Sequence, residues 1–256
     1  MAPLAFRALE RDIVVNRRLW WTSLTTYFLS PLLFLGAMGL GLGGLVDERT
    51  GEVDGLRYLV FVAPGILAAG AMQSGAAESL WPVLGGMKWI RYFHGMVASP
   101  MSPGDVLFGR LSWSALRITV SSTVFLLVAA ALGAIPSLWA PVSIPFAVLG
   151  GLAFAAPLAA FSATQQDDFA FPVVMRLGII PLFLFSGTFF PLEQLPEWLQ
   201  PLAVISPLFH SVELCRAATT GTLEVLPVLG HVAALLVFIA VGCWLGVRTF
   251  TRRLSP

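Results

Sequence analysis

Six apolar runs, none with a charge at its centre, dominate this sequence: Thr22–Gly44, Tyr58–Ala77, Leu111–Gly133, Pro141–Ala163, Pro172–Phe190 and Val225–Val247. A helix needs about 20 apolar residues to cross the hydrocarbon core. Only helices and closed barrels satisfy their backbone groups there. The runs therefore predict an all-α polytopic membrane protein with six transmembrane helices and a single membrane domain over residues 1–256. Composition agrees, since only 11% of the 256 residues are charged and 57% are hydrophobic. A formal net charge of +1 gives no reason to expect nucleic-acid binding.

Basic residues near the span ends set orientation. With the N-terminus in the cytoplasm, Arg7, Arg11, Arg17, Arg18, Lys88, Arg91, Arg110, Arg117, Arg176, Arg248, Arg252 and Arg253 fall inside or at that boundary. Only Arg49, Arg57 and Arg216 fall outside. This predicts a multi-pass protein of the cytoplasmic (inner) membrane with both termini cytoplasmic. Arg117 and Arg176 lie near span ends, where long side chains are expected to snorkel to the headgroups. Pro157 and Pro181 fall within spans, which neighbouring helices can accommodate.

Three segments are neither span nor plain loop. Residues 1–21 form an interfacial element, in which Leu4 to Arg18 reads as an amphipathic helix. Its Phe6, Leu9 and Ile13 are set against Arg7, Arg11 and Arg18. Residues 84–109 are basic and aromatic. Met87–Val97 predicts a short helix there, Ser99–Pro103 a turn, and Pro103 with Asp105 the start of the next helix. Residues 191–224 are too apolar for a free loop. Pro191, Pro196, Pro201 and Pro207 also break the segment too often for it to span, so short re-entrant external helices are expected. Gly39 and Gly43 in the first span have the small-xxx-small spacing of a close helix–helix interface.

Catalytic signatures are missing. The lone lysine, Lys88, follows Met87, so no P-loop exists to hold nucleotide phosphates. An intramembrane serine hydrolase using Ser74 and His231 is an alternative, as is a non-transporting membrane scaffold. His94 and His210 read as packing or interface residues.

Two stretches are familiar in detail: SPMSPGDVLFGRLSWSALR (Ser99–Arg117) and PLFLFSGTFFPLEQLPEWLQPLAVISPLFHSVELCR (Pro181–Arg216). In order they carry a phenylalanine-rich span end, Ser186-Gly187, Pro191, Leu195-Pro196, Trp198-Leu199 and Pro207-Leu208 before His210. The chain thereby resembles the type-2 ABC exporter permeases, in the branch of the nodulation lipo-oligosaccharide and daunorubicin-type drug exporters. One departure is His94-Gly95, where the family often shows charged residues ending in glutamate.

The resemblance implies an ATP-driven exporter of a hydrophobic, drug-like or lipid-linked substrate. The permease would bind no cofactor. ATP and Mg would sit on a separate nucleotide-binding ATPase subunit, and a second permease subunit, identical or paralogous, would complete the path within membrane lipids. Coupling to the ATPase would fall to Arg7, Arg11, Lys88, Arg91 and His94. Phe183, Phe185, Phe189 and Phe190 are candidates for the gate or substrate path, and Gly39 and Gly43 for the helix interface.

Overall fold

The computed structural model describes residues 4–17, 33–37, 41, 53 and 55–254. Among these residues the architecture is all-helical, apart from an isolated bridge between Val53 and Leu56. Helix α1 is Leu4–Arg17, α2 is Tyr58–Ser79, α3 is Tyr92–Val97 and α4 is Pro103–Ala131. Then follow α5 (Ser143–Thr164), α6 (Ala170–Phe185), α7 (Gln200–Ile205), α8 (Pro207–Thr220) and α9 (Val225–Leu254).

Four helical rods in the described residues are long and apolar enough to cross a membrane: Tyr58–Trp89, Pro103–Ala131, Ala140–Thr164 and Val225–Leu254. They coincide with four of the six expected spans, and α6 is a shorter apolar helix at the fifth. The expected first span lies mostly outside the described residues, as do Gly39 and Gly43.

The rods differ in what surrounds them. α2 is apolar on all sides and buried along most of its length, as expected of a helix enclosed by others. α9 is the reverse, with Leu226, Leu229, Leu236, Val237, Val241 and Trp244 exposed. In water that stripe would be a liability, but against lipid tails it has nothing to gain from burial. α5 is the hub, packing on α2, α4, α8 and α9. Its buried face is built of small residues, among them Ala147, Gly150, Gly151, Ala155, Ala156 and Ala159. Gly75 of α2 crosses Gly151 of α5 so closely that a Cβ on either would strike backbone of the other helix.

Proline and glycine place the interruptions. After Ser79 the α2 rod breaks at Leu80, restarts at Trp81–Leu84 with Pro82 in its first turn, and ends in a π turn, Gly85–Trp89. α6 carries a second π turn, Val174–Ile179, just before Pro181. Proline has no N–H for the carbonyl four residues back, and the wider turn re-spaces the ladder around that gap. The apolar run predicts helix to Phe190, but α6 stops at Phe185. Gly187 takes a left-handed φ of +77° and turns the chain away.

The expected helix start at Pro103 is present. Ser102 Oγ accepts from the Asp105 amide at 3.1 Å, while Asp105 Oδ2 accepts from the Ser102 amide at 2.9 Å. This reciprocal cap satisfies two donors that a helix start leaves open.

Candidate functional site

At the end of the bundle where α1 lies, four helical elements meet around one arginine. Arg110, in the second turn of α4, is only 6% exposed. Its Nη1 donates to Asp12 of α1 at 3.1 Å, and Nη2 donates to the Glu78 carboxylate of α2. Nε and Nη2 also donate to the Glu78 carbonyl, at 3.3 and 3.0 Å. That carbonyl stands four residues before Pro82, so it has no intrahelical donor, and Arg110 supplies one from the neighbouring helix. Arg117, two turns along α4 on the same face, pairs with the other Glu78 oxygen. The expectation that Arg117 snorkels to headgroups is therefore corrected, because an acidic partner is within reach.

Helix α1 is fixed here by shape as well as charge. Gly109 of α4 faces Ala8, the buried residue of α1. A Cβ at 109 would lie 2.5 Å from Ala8 Cβ and 2.9 Å from the Ala5 carbonyl. Arg11 pairs with Asp12 at 2.9 Å and stacks on the Tyr92 ring of α3, 3.6 Å from its centroid. Burial raises the Tyr92 phenol above its ordinary pKa, and the neutral ring offers its face to the guanidinium. Phe93 of α3 is buried against Phe250 near the end of α9, their ring centroids 5.9 Å apart. So α1, α3 and the adjoining ends of α2, α4 and α9 form one packed block.

Near the opposite end, rings gather. Phe183 of α6 meets Phe189 edge-on at 4.9 Å, and Phe34 lies 6.1 and 6.3 Å from them. The turn carrying Phe189 is held by α8, where Arg216 Nη2 donates to the Gly187 carbonyl at 2.7 Å. Arg216 also pairs with Glu213 and lies over the Phe61 ring of α2. A cavity of about 340 Å³ opens beside it, lined among others by Leu56, Glu213, Arg216, Thr220, Glu224 and His231. His231 of α9 and His210 of α8 are joined through their Nδ1 atoms at 2.8 Å.

A block that clamps helix ends thus stands at one pole and an aromatic cluster at the other, joined by apolar rods. The ABC-2 family transporter proteins match this chain over residues 46–248. The chain belongs to that family. Nodulation protein J of Rhizobium leguminosarum bv. trifolii is 32% identical over 245 residues, 96% of this chain and 92% of its own. Nodulation protein J of Rhizobium meliloti (strain 1021) is 29% identical over 247 residues, with the same shares. The inner membrane transport permease YadH of Escherichia coli (strain K12) is 23% identical over 239 residues, 89% of this chain and 88% of its own. This ABC-2 protein is a membrane transport permease.

Within the permease the expected residues separate. Of the coupling set, Arg7, Lys88 and Arg91 are exposed, although Lys88 Nζ also donates to the Gln166 carbonyl. Arg91 is the only non-glycine described residue with positive φ, +58°, where the chain doubles back from the π turn into α3. Arg11 is engaged within the chain, and the buried Nδ1 of His94 has no hydrogen-bond partner among the described residues. Of the four phenylalanines, Phe183 and Phe189 come together, Phe185 is 41% exposed at the end of α6, and Phe190 is half-buried beyond it. Ser74 and His231 are not neighbours. His231 shares its cavity with Leu56, beside the start of α2, whereas Ser74 is sixteen residues beyond Tyr58, about 24 Å along the helix.

Sequence reasoning missed Asp12, Glu78 and the role of Arg110. A signal was present. Glu78 is an acidic residue closing an apolar run four residues before a proline, and Arg110 and Arg117 are seven apart, on one helix face.

Proposed function

We propose that this permease is the membrane half of an ATP-driven exporter, whose motor is a separate nucleotide-binding subunit that carries ATP and Mg. The observation that carries the reading is the block around Arg110, which ties an amphipathic helix and a short turned-back helix to the ends of α2 and α4. A surface built this way moves as a unit when pushed. The exposed Arg7, Lys88 and Arg91 on it are the side chains offered to the motor. His94 stands close by, and Arg11 acts indirectly by holding Tyr92.

In the same reading the chain has six spans. Thr22–Gly44 is the first, α6 and the turn after it the fifth, and residues 191–224 dip into the outer leaflet as short helices. Both termini are cytoplasmic, a reading that the distribution of arginines supports. A second permease copy or paralogue completes the path, with Gly39 and Gly43 at a helix interface. The substrate is hydrophobic, drug-like or lipid-linked, as the aromatic cluster of Phe34, Phe183 and Phe189 would accept an alkyl chain, with Phe185 and Phe190 flanking it. The resemblance of Pro181–Arg216 to the nodulation lipo-oligosaccharide exporter branch favours a lipid-linked saccharide within that class.

The tagged chain, purified from its native membranes in mild detergent, is expected to bring down a P-loop ATPase. Reconstituted together, the two are expected to move a fluorescent lipo-oligosaccharide across vesicles only when ATP is present. Recovery of the permease without any ATPase would overturn the reading.

A further inference from the structure

The short loop between α5 and α6 is bonded to the α2 rod rather than free. Trp81 Nε1 donates to Asp168 Oδ2 at 3.2 Å, and Lys88 Nζ donates to the Gln166 carbonyl. Trp81 also meets Phe171, the buried residue in the first turn of α6, edge-on at 5.4 Å. Leu80, Leu84 and Phe171 are fully buried together, with Phe161, Val174 and Met175 packed on them, as a small core that touches the main one through Met175. From there α6 runs through its π turn to Phe183 and the cluster with Phe189.

We propose that this loop is a second transmission strut, through which movement of the Trp81–Trp89 extension reaches α6 directly and shifts the Phe183–Phe189 cluster. Two bonds and a ring contact fix the start of α6 to the extension, so the two move together. The π turn, whose wider ladder is the weakest stretch of α6, is where that movement bends the helix. Trp81 and Asp168 are positioning residues here and touch no substrate. The inference deepens the function proposed above and rests on its reading of the extension and α3 as the segment the ATPase moves.

The test reads motion at the far end of α6 and needs no identified substrate. In the complex with its co-purified ATPase, a thiol at Phe189→Cys, in a Cys243→Ser background, is labelled with a membrane-impermeant maleimide. Labelling is compared between the nucleotide-free and the ATP–vanadate-trapped states. Cys215 is buried and does not compete. The rate is expected to differ between the two states by about fivefold or more, the range of ordinary site-to-site coupling. Trp81→Phe, which keeps a ring against Phe171, and Asp168→Ala are each expected to abolish that difference. ATPase recovery and basal hydrolysis should stay unchanged, which a merely structural loss would not allow.

Arg91→Glu, in the segment facing the motor, is expected to abolish the difference as well. If Arg91→Glu abolishes it while Trp81→Phe and Asp168→Ala retain it, the strut is overturned and the function stands. If the parent shows no nucleotide-dependent difference, both are overturned.

Discussion

Arg110 donates to the carbonyl of Glu78 that Pro82 deprives of its helical donor, while the same guanidinium pairs with the Glu78 carboxylate. One side chain thus repairs a proline break and pairs with a part-buried acid, with Asp12 of α1 as its third partner. Removing Arg110 leaves each of these carboxylates, 12% exposed, with a single cation, Asp12 with Arg11 and Glu78 with Arg117, and takes the donor from the Glu78 carbonyl. Leaving that carbonyl without its donor, with both ion-pair networks weakened, costs about 1–3 kcal/mol. Arg110→Ala is therefore expected to lower the thermal midpoint of the detergent-solubilised permease sharply. Arg110→Lys should recover only part of it, since a point charge cannot fork to three acceptors. Pro82→Ala, which restores the helical donor, should make the loss smaller. Equal losses in both backgrounds would refute the link to the carbonyl.

The approach of α1 to α4 depends on Gly109. A side chain there meets Ala8 and the Ala5 carbonyl, so Gly109→Val should displace α1 at a cost of about 1–3 kcal/mol from overpacking. Limited proteolysis at Arg7 and Arg11 should speed up, and the recovered ATPase should fall. The further change Ala8→Gly removes the nearest clashing atom, and is expected to restore part of both. No rescue would mean that the close approach does not hold α1.

Sequence showed most where the physics is local. The reciprocal cap of Ser102 and Asp105 spans four residues and could be read directly from Ser-Pro-x-Asp. The four long rods follow from apolar run length alone. The end of α6 is not legible locally, because the apolar run continues to Phe190 while the chain turns at Gly187 with a hydrogen bond from Arg216, 29 residues away. Asp12 and Arg110 are 98 positions apart, and Trp81 and Asp168 are 87 apart. No periodicity links residues at such distances. The pairing of Phe183 with Phe189, and the outward position of Phe185, likewise depend on where the helix ends.

The cap also gives an acid-side prediction. Hydrogen bonds from the Ser102 hydroxyl and then its amide hold the Asp105 carboxyl below its ordinary 3.8. A depressed carboxyl stabilises fully above that ordinary value, and the contribution fades as pH falls through the lower folded value. Ser102→Ala is expected to cost about 1 kcal/mol of stability at neutral pH. The difference between the two proteins, followed by thermal melting, should shrink below about pH 4. A pH-independent difference would show that the carboxylate takes no part.

The pair of histidines predicts a second pH response, at higher pH. With 2.8 Å between the Nδ1 atoms, one ring must donate and the other accept, so the contact needs at least one neutral ring. Burial, and then the nearby His231, lower the pKa of His210 below its ordinary 6.5. A histidine held neutral in the folded state stabilises fully above its ordinary value. That stability is lost as pH falls through 6.5 toward the depressed value, where the His210 ring takes up its proton. Because the pair joins α8 to α9, and α8 holds the turn at Gly187, acidification should loosen the segment that carries Phe189. Between pH 7.5 and 5.5 (about one unit either side of 6.5) the thermal midpoint is expected to fall, and reactivity of a thiol at Phe189→Cys to rise. His210→Gln, which keeps a neutral partner for His231, should flatten both profiles. If both keep their slope in that variant, the response belongs to other groups.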